Sequence, residues 1–154
     1  MADRIDPYFG FRFRIAIQGI IEGGFAEFSG LQATTQVEDF IEGGVNTYVH
    51  KFPKETTFEN LVLKKGLADS TILWQWHRDV IMNNFQRRDI QIFLLKDLID
   101  PNGAVAQQWS FRKAYPVKWN GPEFKTESNT VAFETLELAH HGYTETFVEK
   151  TNNQ

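Results

Sequence analysis

The sequence contains no cysteine, which excludes disulfides, thiolate nucleophiles and cysteine-based zinc sites. It has no long apolar run: the longest is "IFLL" at 92–95, far short of the ~20 residues that a membrane helix needs. It has little net charge, −4, with acids and bases mixed along the chain. No basic stripe is present, so nucleic-acid binding by counterion release has little support, although a polyanion can pass nearby without binding. Residues 1–14 lack the apolar segment of a secretory signal. The expectation is therefore a soluble protein made in the cytoplasm.

What is abundant is aromatic surface: 14 Phe, four Trp and four Tyr in 154 residues, 42% of which are apolar. That length and composition support one ordered domain over residues 1–154.

Residues 11–18, "FRFRIAIQ", place Phe11, Phe13, Ile15 and Ile17 on one face and Arg12, Arg14 and Gln18 on the other, as in a half-buried strand. Shorter strands are expected at 24–31 and 32–42. In 32–42 the even positions Gln32, Thr34, Gln36 and Glu38 are polar and the odd ones partly apolar, and Asp39 and Phe40 break the pattern. A fourth strand is expected at 56–66. The spacing of Leu73, Trp76, Val80 and Ile81 predicts a helix over about 69–84, capped by Asp69 or Ser70, with Trp74 off the stripe. Residues 88–98 and 104–112 flank "DPNG" and read as a hairpin. Residues 115–124 form a proline-punctuated edge or connection, 130–143 a last long strand, and "EKTNNQ" a frayed tail. The sum is mostly β, about seven strands and one helix. "IEGG" occurs at 21–24 and 41–44 and marks places where a strand must stop.

No catalytic set stands out. His50, His77, His140 and His141 have no metal-ligand spacing, and neighbours on a strand point to opposite faces. Glu134 and Glu137 fall on opposite faces of a regular strand, which removes a facing carboxylate pair. Ser29 is not in a nucleophile elbow, and the Gly-Gly pairs lack a phosphate-binding context. No cofactor or metal is expected.

One stretch is awkward. "EGGVNTYVHKFP", residues 42–53, carries Val45, Tyr48, Val49 and Phe52 in neither strand nor helix period. Those side chains need cover. Either the stretch folds back on its own domain as an Ω-loop, or a neighbouring chain buries it.

Six segments, "PYFGFRFRIAIQG", "GGFAEFSGL", "EGGVNTYVHKFP", "LVLKKGLADS" followed by "LWQW", "WSFRKAYPVKWNGPEF" and "VAFETLELAHHGY", occur in order across nearly the whole chain. As a set they resemble the tail tube protein family of contractile phage tails and related contractile injection systems. The resemblance implies two packed antiparallel sheets forming a small β-barrel or sandwich with one flanking helix. It implies a homo-hexameric ring, stacked into a hollow inner tube inside a contractile sheath, with baseplate or hub and terminator proteins at the ends. DNA or a protein effector would be the cargo, with no stable membrane insertion. Such a subunit is made in the bacterial cytoplasm and assembled in a phage tail or injection-system particle. A secreted ring relative in type VI secretion shares the architecture.

The resemblance also implies an inter-subunit loop at about 43–56. Val45, Asn46, Tyr48, Val49, His50, Lys51, Phe52 and Pro53 would then form the assembly interface. A channel wall would take the polar faces, with Thr34, Gln36 and Glu38 first and Gln108, Ser110 and Arg112 after them. The competing reading is a monomeric β-barrel that binds a small apolar ligand, which requires an apolar chamber inside one chain.

Overall fold

The structure of the chain, a computed structural model, describes residues 12–20, 25–44, 47–66, 71–84, 86–96, 104–127 and 132–147. Among them are β1 (Arg12–Ile17), β2 (Phe25–Ser29), β3 (Ala33–Phe40), β4 (His50–Phe58), β5 (Leu61–Gly66), α1 (Ile72–Ile81), β6 (Arg88–Leu95), β7 (Val105–Asn120), β8 (Phe133–Ala139) and β9 (Tyr143–Phe147). Seven strands join in one antiparallel sheet in the order β1-β6-β7-β8-β5-β2, with β9 also paired to β7; β3 and β4 form a separate two-stranded sheet. The end strands β1 and β2 are not paired to each other, so the barrel is not closed.

Alternation builds the core. Ile15 and Ile17 of β1, Leu61 and Leu63 of β5, and Leu136 and Leu138 of β8 point inward at every second position. With Ile90, Ile92, Trp109 and Phe111 they form a single buried cluster, so the sheet folds over and its two halves share one interior. The fold happens within β7. Its first half pairs β9 up to Phe111 and β6 up to Ala114, and its second half pairs β8 from Tyr115 onward.

The strand boundaries differ from expectation in three places. Residues 104–112 and 115–120 are one strand, β7, because Pro116 lies where β7 has only β8 as a hydrogen-bonded neighbour and no inner ladder loses a donor. The expected strand at 56–66 is interrupted at Glu59 and Asn60, so its first residues belong to β4 and the rest is β5. The expected strand at 130–143 ends at Ala139, and a further strand, β9, starts at Tyr143, because Gly142 turns the chain at φ +98°.

The helix is shorter than expected. Thr71 occupies its N-cap without a side-chain hydrogen bond, while Asp69 and Ser70 lie outside the described residues. It ends in a Schellman motif: Asn83 takes φ +58°, its N–H donates to Val80 O, and the Asn84 N–H donates to Asp79 O. Leu73 and Trp76 are buried and Val80 is half-buried, as the spacing predicts. Ile81 is exposed, which corrects its place on the stripe. Trp74 lies off the stripe and rests on Trp119, with ring centroids 4.8 Å apart. No described helix is long and apolar enough to cross a membrane. The C-terminal tail from residue 148 lies outside the described residues.

Candidate functional site

β3 and β4 form a ribbon on which every position except the half-buried His50 is exposed. β-Branched residues favour the extended chain here, and Thr35 and Thr56 join the strands through their hydroxyls at 2.8 Å. Glu38 and Lys54 add an ion pair at 3.7 Å. A lone two-stranded ribbon is marginally stable in water. This one has a base, because it extends a hairpin of the body. Ser29 of β2 faces Val62 of β5; four residues further along one strand and four back along the other, Ala33 faces Phe58. The pairing offset survives the interruption, so β2–β5 and β3–β4 are one long, kinked hairpin, and β3–β4 is its arm.

The kink has a local cause. Gly30 takes φ +104°, and a Cβ there would collide with the Asn60 carbonyl oxygen. The Gln32 N–H turns back to Gly30 O at 2.8 Å, while the Glu59 N–H keeps one rung to Gln32 O at 3.0 Å.

The far half of the arm is aromatic. Phe40 faces His50 and Glu38 faces Phe52 in the ladder. Phe40 and Phe52 meet edge-on at 6.1 Å, His50 stacks beside Phe52, and Tyr48 meets His50 edge-on at 5.0 Å. His50 Nε2 also lies 3.1 Å from Glu42 Oε2. Despite these contacts Tyr48 remains 59% exposed and Phe52 53%, and Val37, Ile41 and Val49 are also exposed. Nothing among the described residues covers them, and the described part of the stretch does not fold back on the domain as an Ω-loop.

The expected loop at 43–56 is strand from His50 onward, a correction with a physical reason. A one-residue bulge, with Lys54 and Glu55 opposite Gln36, shifts the register between Thr35 and Val37 and upsets the period of two in β4. Tyr48, Val49, His50, Lys51, Phe52 and Pro53 lie at or near the far end of the arm, whereas Val45 and Asn46 lie outside the described residues. The channel-wall candidates Thr34, Gln36 and Glu38 alternate along β3, on the face that continues into Phe40, His50 and Phe52. Part of the interface set therefore shares a face with the wall set, polar near the base and aromatic towards the tip, whereas Lys51 and Pro53 pair with Asp39 and Val37 on the opposite face.

Gln108, Ser110 and Arg112 sit elsewhere, on β7. Ser110 faces Gln91 on β6 and Thr144 on β9, and Gln108 faces Phe93 and Thr146. This is the outer side of the folded sheet, opposite Trp109 and Phe111, and it carries amides and hydroxyls. Gln108 and Ser110 are half-buried and Arg112 is exposed. Within one chain the β3 and β7 sets belong to different sheets.

Sequence reasoning missed Val37, Phe40 and Ile41 as part of the exposed apolar arm. Phe40 did signal itself by breaking the alternation. It also missed Phe58 at the base, whose ring lies 5.5 Å from Tyr143 and 6.1 Å from His140. Other polar features belong to the framework. Glu134 is buried beside Lys65, with Oε1 3.5 Å from Nζ, and accepts the Trp119 indole N–H at 3.2 Å. Glu137 lies on the other face and accepts from Asn60 at 2.8 Å. An apolar cleft lined by Phe13, Ala26, Phe28, Leu94 and Trp109 lies between β1 and β2, where the ends of the sheet approach without pairing. The interior itself is filled by Phe111, Ile90, Ile92 and the leucines of β5 and β8, in place of the chamber that a ligand-binding barrel requires.

Comparison with known proteins gives a consistent result. The family model described as T4-like virus tail tube protein gp19 matches residues 10–144. No curated protein matches. Among solved structures, the sheath–tube complex of an extracellular contractile injection system, PVC, in its extended state contains a chain of the same fold. That chain is 24% identical with a TM-score of 0.78, covering 96% of this chain and 94% of that one. A chain of the anti-feeding prophage tube-terminating cap is also 24% identical, with a TM-score of 0.80 and coverage of 96% and 97%. Hcp1 from Flavobacterium johnsoniae is more distant, at 17% identity and a TM-score of 0.52, covering 88% of this chain and 95% of that one.

Proposed function

We propose that this chain, which belongs to the T4-like virus tail tube protein family, is the repeating structural subunit of the inner tube of a contractile phage tail or injection system. The observation that carries the reading is the arm. It presents Val37, Phe40, Ile41, Tyr48, Val49 and Phe52 to solvent on a ribbon with two open edges. Open edges and contiguous apolar surface are hazards in a monomer and assets in an assembly. A second copy of the chain is the partner that disposes of both, because a closed ring lets every arm lie on a neighbour.

Six copies close the ring, and rings stack into a tube. The arm residues Tyr48, Val49, His50, Lys51, Phe52 and Pro53, together with Val45 and Asn46, are buried between subunits. Thr34, Gln36 and Glu38, with Gln108, Ser110 and Arg112, line the channel with a polar wall of amides, hydroxyls and one charge of each sign. A sheath surrounds the tube, and baseplate and terminator proteins close its ends, as the names of the PVC and anti-feeding prophage assemblies describe for their own tubes. Sheath contraction drives the tube through a target envelope, with DNA or a protein effector as cargo. The subunit is made in the bacterial cytoplasm and functions in the particle.

Negative-stain microscopy of concentrated protein tests the reading directly. Rings or tubes are expected; a monodisperse particle near 17.8 kDa at every concentration overturns it. Labelling tests the channel wall. Because the chain has no cysteine, Gln36→Cys supplies a unique thiol. It should react with a bulky maleimide in dissociated protein and resist it in tubes, and equal labelling in both states removes Gln36 from the wall.

A further inference from the structure

We infer that His140 is the positioning residue that fixes the angle of the arm to the body, and so sets whether a ring can close. The inference rests on reading the arm as the assembly element. The ladder of the long hairpin is broken at the kink, where Glu59 and Asn60 leave β4 for β5. A hairpin interrupted by a left-handed glycine swings about that point unless something outside the ladder holds it. Two side chains reach across. Asn60 Nδ2 donates to Glu137 Oε1 on β8 at 2.8 Å, and His140, just past the end of β8, meets Glu59 O through Nε2 at 2.9 Å.

The tautomer of His140 follows from its other nitrogen. The Gly142 N–H donates to Nδ1 at 3.0 Å, so Nδ1 is the acceptor and the proton of the neutral ring sits on Nε2, where it donates to Glu59 O. One imidazole thereby ties the β8–β9 turn to the base of the arm. Its ring is held in turn, with its centroid 5.0 Å from Phe111 edge-on and 6.1 Å from Phe58. Gly142 completes the seat: at φ +98° it is in left-handed backbone, and a Cβ there would come within 3.2 Å of Phe58 Cε2. Phe58, the last residue of β4, therefore rests between the turn and Tyr143 while remaining 40% exposed. The Glu59 carbonyl, which the interrupted ladder leaves without a strand partner, is satisfied by the body. Closing a ring requires each arm to meet its neighbour at one angle, and an arm that swings loses orientation before it loses structure.

The two hydrogen bonds of His140 can be separated by substitution. In His140→Asn the amide oxygen stands near the Nδ1 position and can still accept from Gly142, but the side chain is too short to reach Glu59 O. In His140→Gln the amide nitrogen reaches the Nε2 position and donates to Glu59. Both variants lose the ring that packs on Phe111, so both should melt below wild type by a similar amount. The Asn variant should need at least about fivefold more protein to form rings, the effect of one lost hydrogen bond, and the Gln variant should recover most of that loss.

Nitroxide pairs at Lys51→Cys on the arm and Lys118→Cys on the body, measured in dilute unassembled protein, give a second readout. The distance distribution should broaden in the Asn variant and narrow again with Gln. An unchanged distribution and threshold in His140→Asn overturn the assignment. A loss of assembly that is the same in both variants also overturns it, by showing a merely structural role. Normal tubes from an arm stripped of Tyr48 and Phe52 would instead sink the assembly reading, leaving the distance measurement to report on the anchor alone.

Discussion

The backbone N–H of Lys113 donates to Asp89 Oδ1 at 2.9 Å at the point where β7 passes from one half of the folded sheet to the other. Lys113 holds φ +52° there, a conformation that a side chain bearing a Cβ adopts at a penalty of about 1–2 kcal/mol. Lys113→Gly removes that penalty, and the greater freedom of glycine in the unfolded chain offsets about 0.5–1 kcal/mol of it. A net gain of up to about 1 kcal/mol is expected, read as a higher melting temperature in dissociated protein. Asp89→Ala should cost about 1 kcal/mol by removing the acceptor. An Asp89→Ala variant that melts like wild type would show that the bend is held by other means.

Lys65 and Glu134 face each other across β5 and β8 at the ends of two inward-pointing apolar series, and both are almost fully buried. Replacing Lys65 by Met leaves a carboxylate inside the sheet, for which about 3–5 kcal/mol of destabilisation is expected. Lys65→Met with Glu134→Gln removes both charges while the Gln amide oxygen can still accept from Trp119. The double variant should therefore be more stable than the single one. Urea unfolding of the set checks this, and a double variant weaker than Lys65→Met alone would contradict it.

Trp76 anchors α1 from within the core and donates its indole N–H to Gln86 O at 3.0 Å. Trp76→Ala should lose about 3–5 kcal/mol, the range for truncating a buried aromatic. Against a typical total of about 5–15 kcal/mol that loss leaves little soluble protein to measure, so Trp76→Phe serves as the milder partner. Trp74, tilted against Trp119 at the surface, should cost less when truncated. Equal losses at the two positions would show that the helical stripe does not define the buried face.

The sequence is most readable where one face of an element is buried and the other wet. Ile15 and Ile17, Leu61 and Leu63, and Leu73 and Trp76 all lie inside as their spacing requires. Periodicity fails on the arm, because β3 is exposed on both faces and no intramolecular burial imposes a period. Phe40 breaks the alternation of β3 for the same reason: its face turns from polar to aromatic along the strand. The long β7 is hard to see because Lys113 and Pro116 resemble terminators, although one is a bend and the other lies where the strand has a single neighbour. His140 gives no signal in the sequence at all. Its partners, Glu59 and Gly142, are joined to it only by the crossing of the hairpin kink over the β8–β9 turn.

The aromatic end of the arm gives the sharpest separation between folding and assembly. Tyr48 and Phe52 are more than half exposed in the single chain, so replacing them removes little burial from its own core. Covering each on a neighbour should contribute about 1.5–3 kcal/mol. Ordering the chain around Gly43 and Gly44 offsets part of that, since Gly44 lies at φ +99° in the turn that ends the arm. What remains is counted once per subunit and multiplies around a ring. Tyr48→Ser with Phe52→Ser should therefore leave a folded monomer, with a circular dichroism melt within a few degrees of wild type, that forms neither rings nor tubes. Normal tubes from the double variant would contradict the interface. Loss of the folded monomer itself would do so too, by placing the two rings in the stability of one chain.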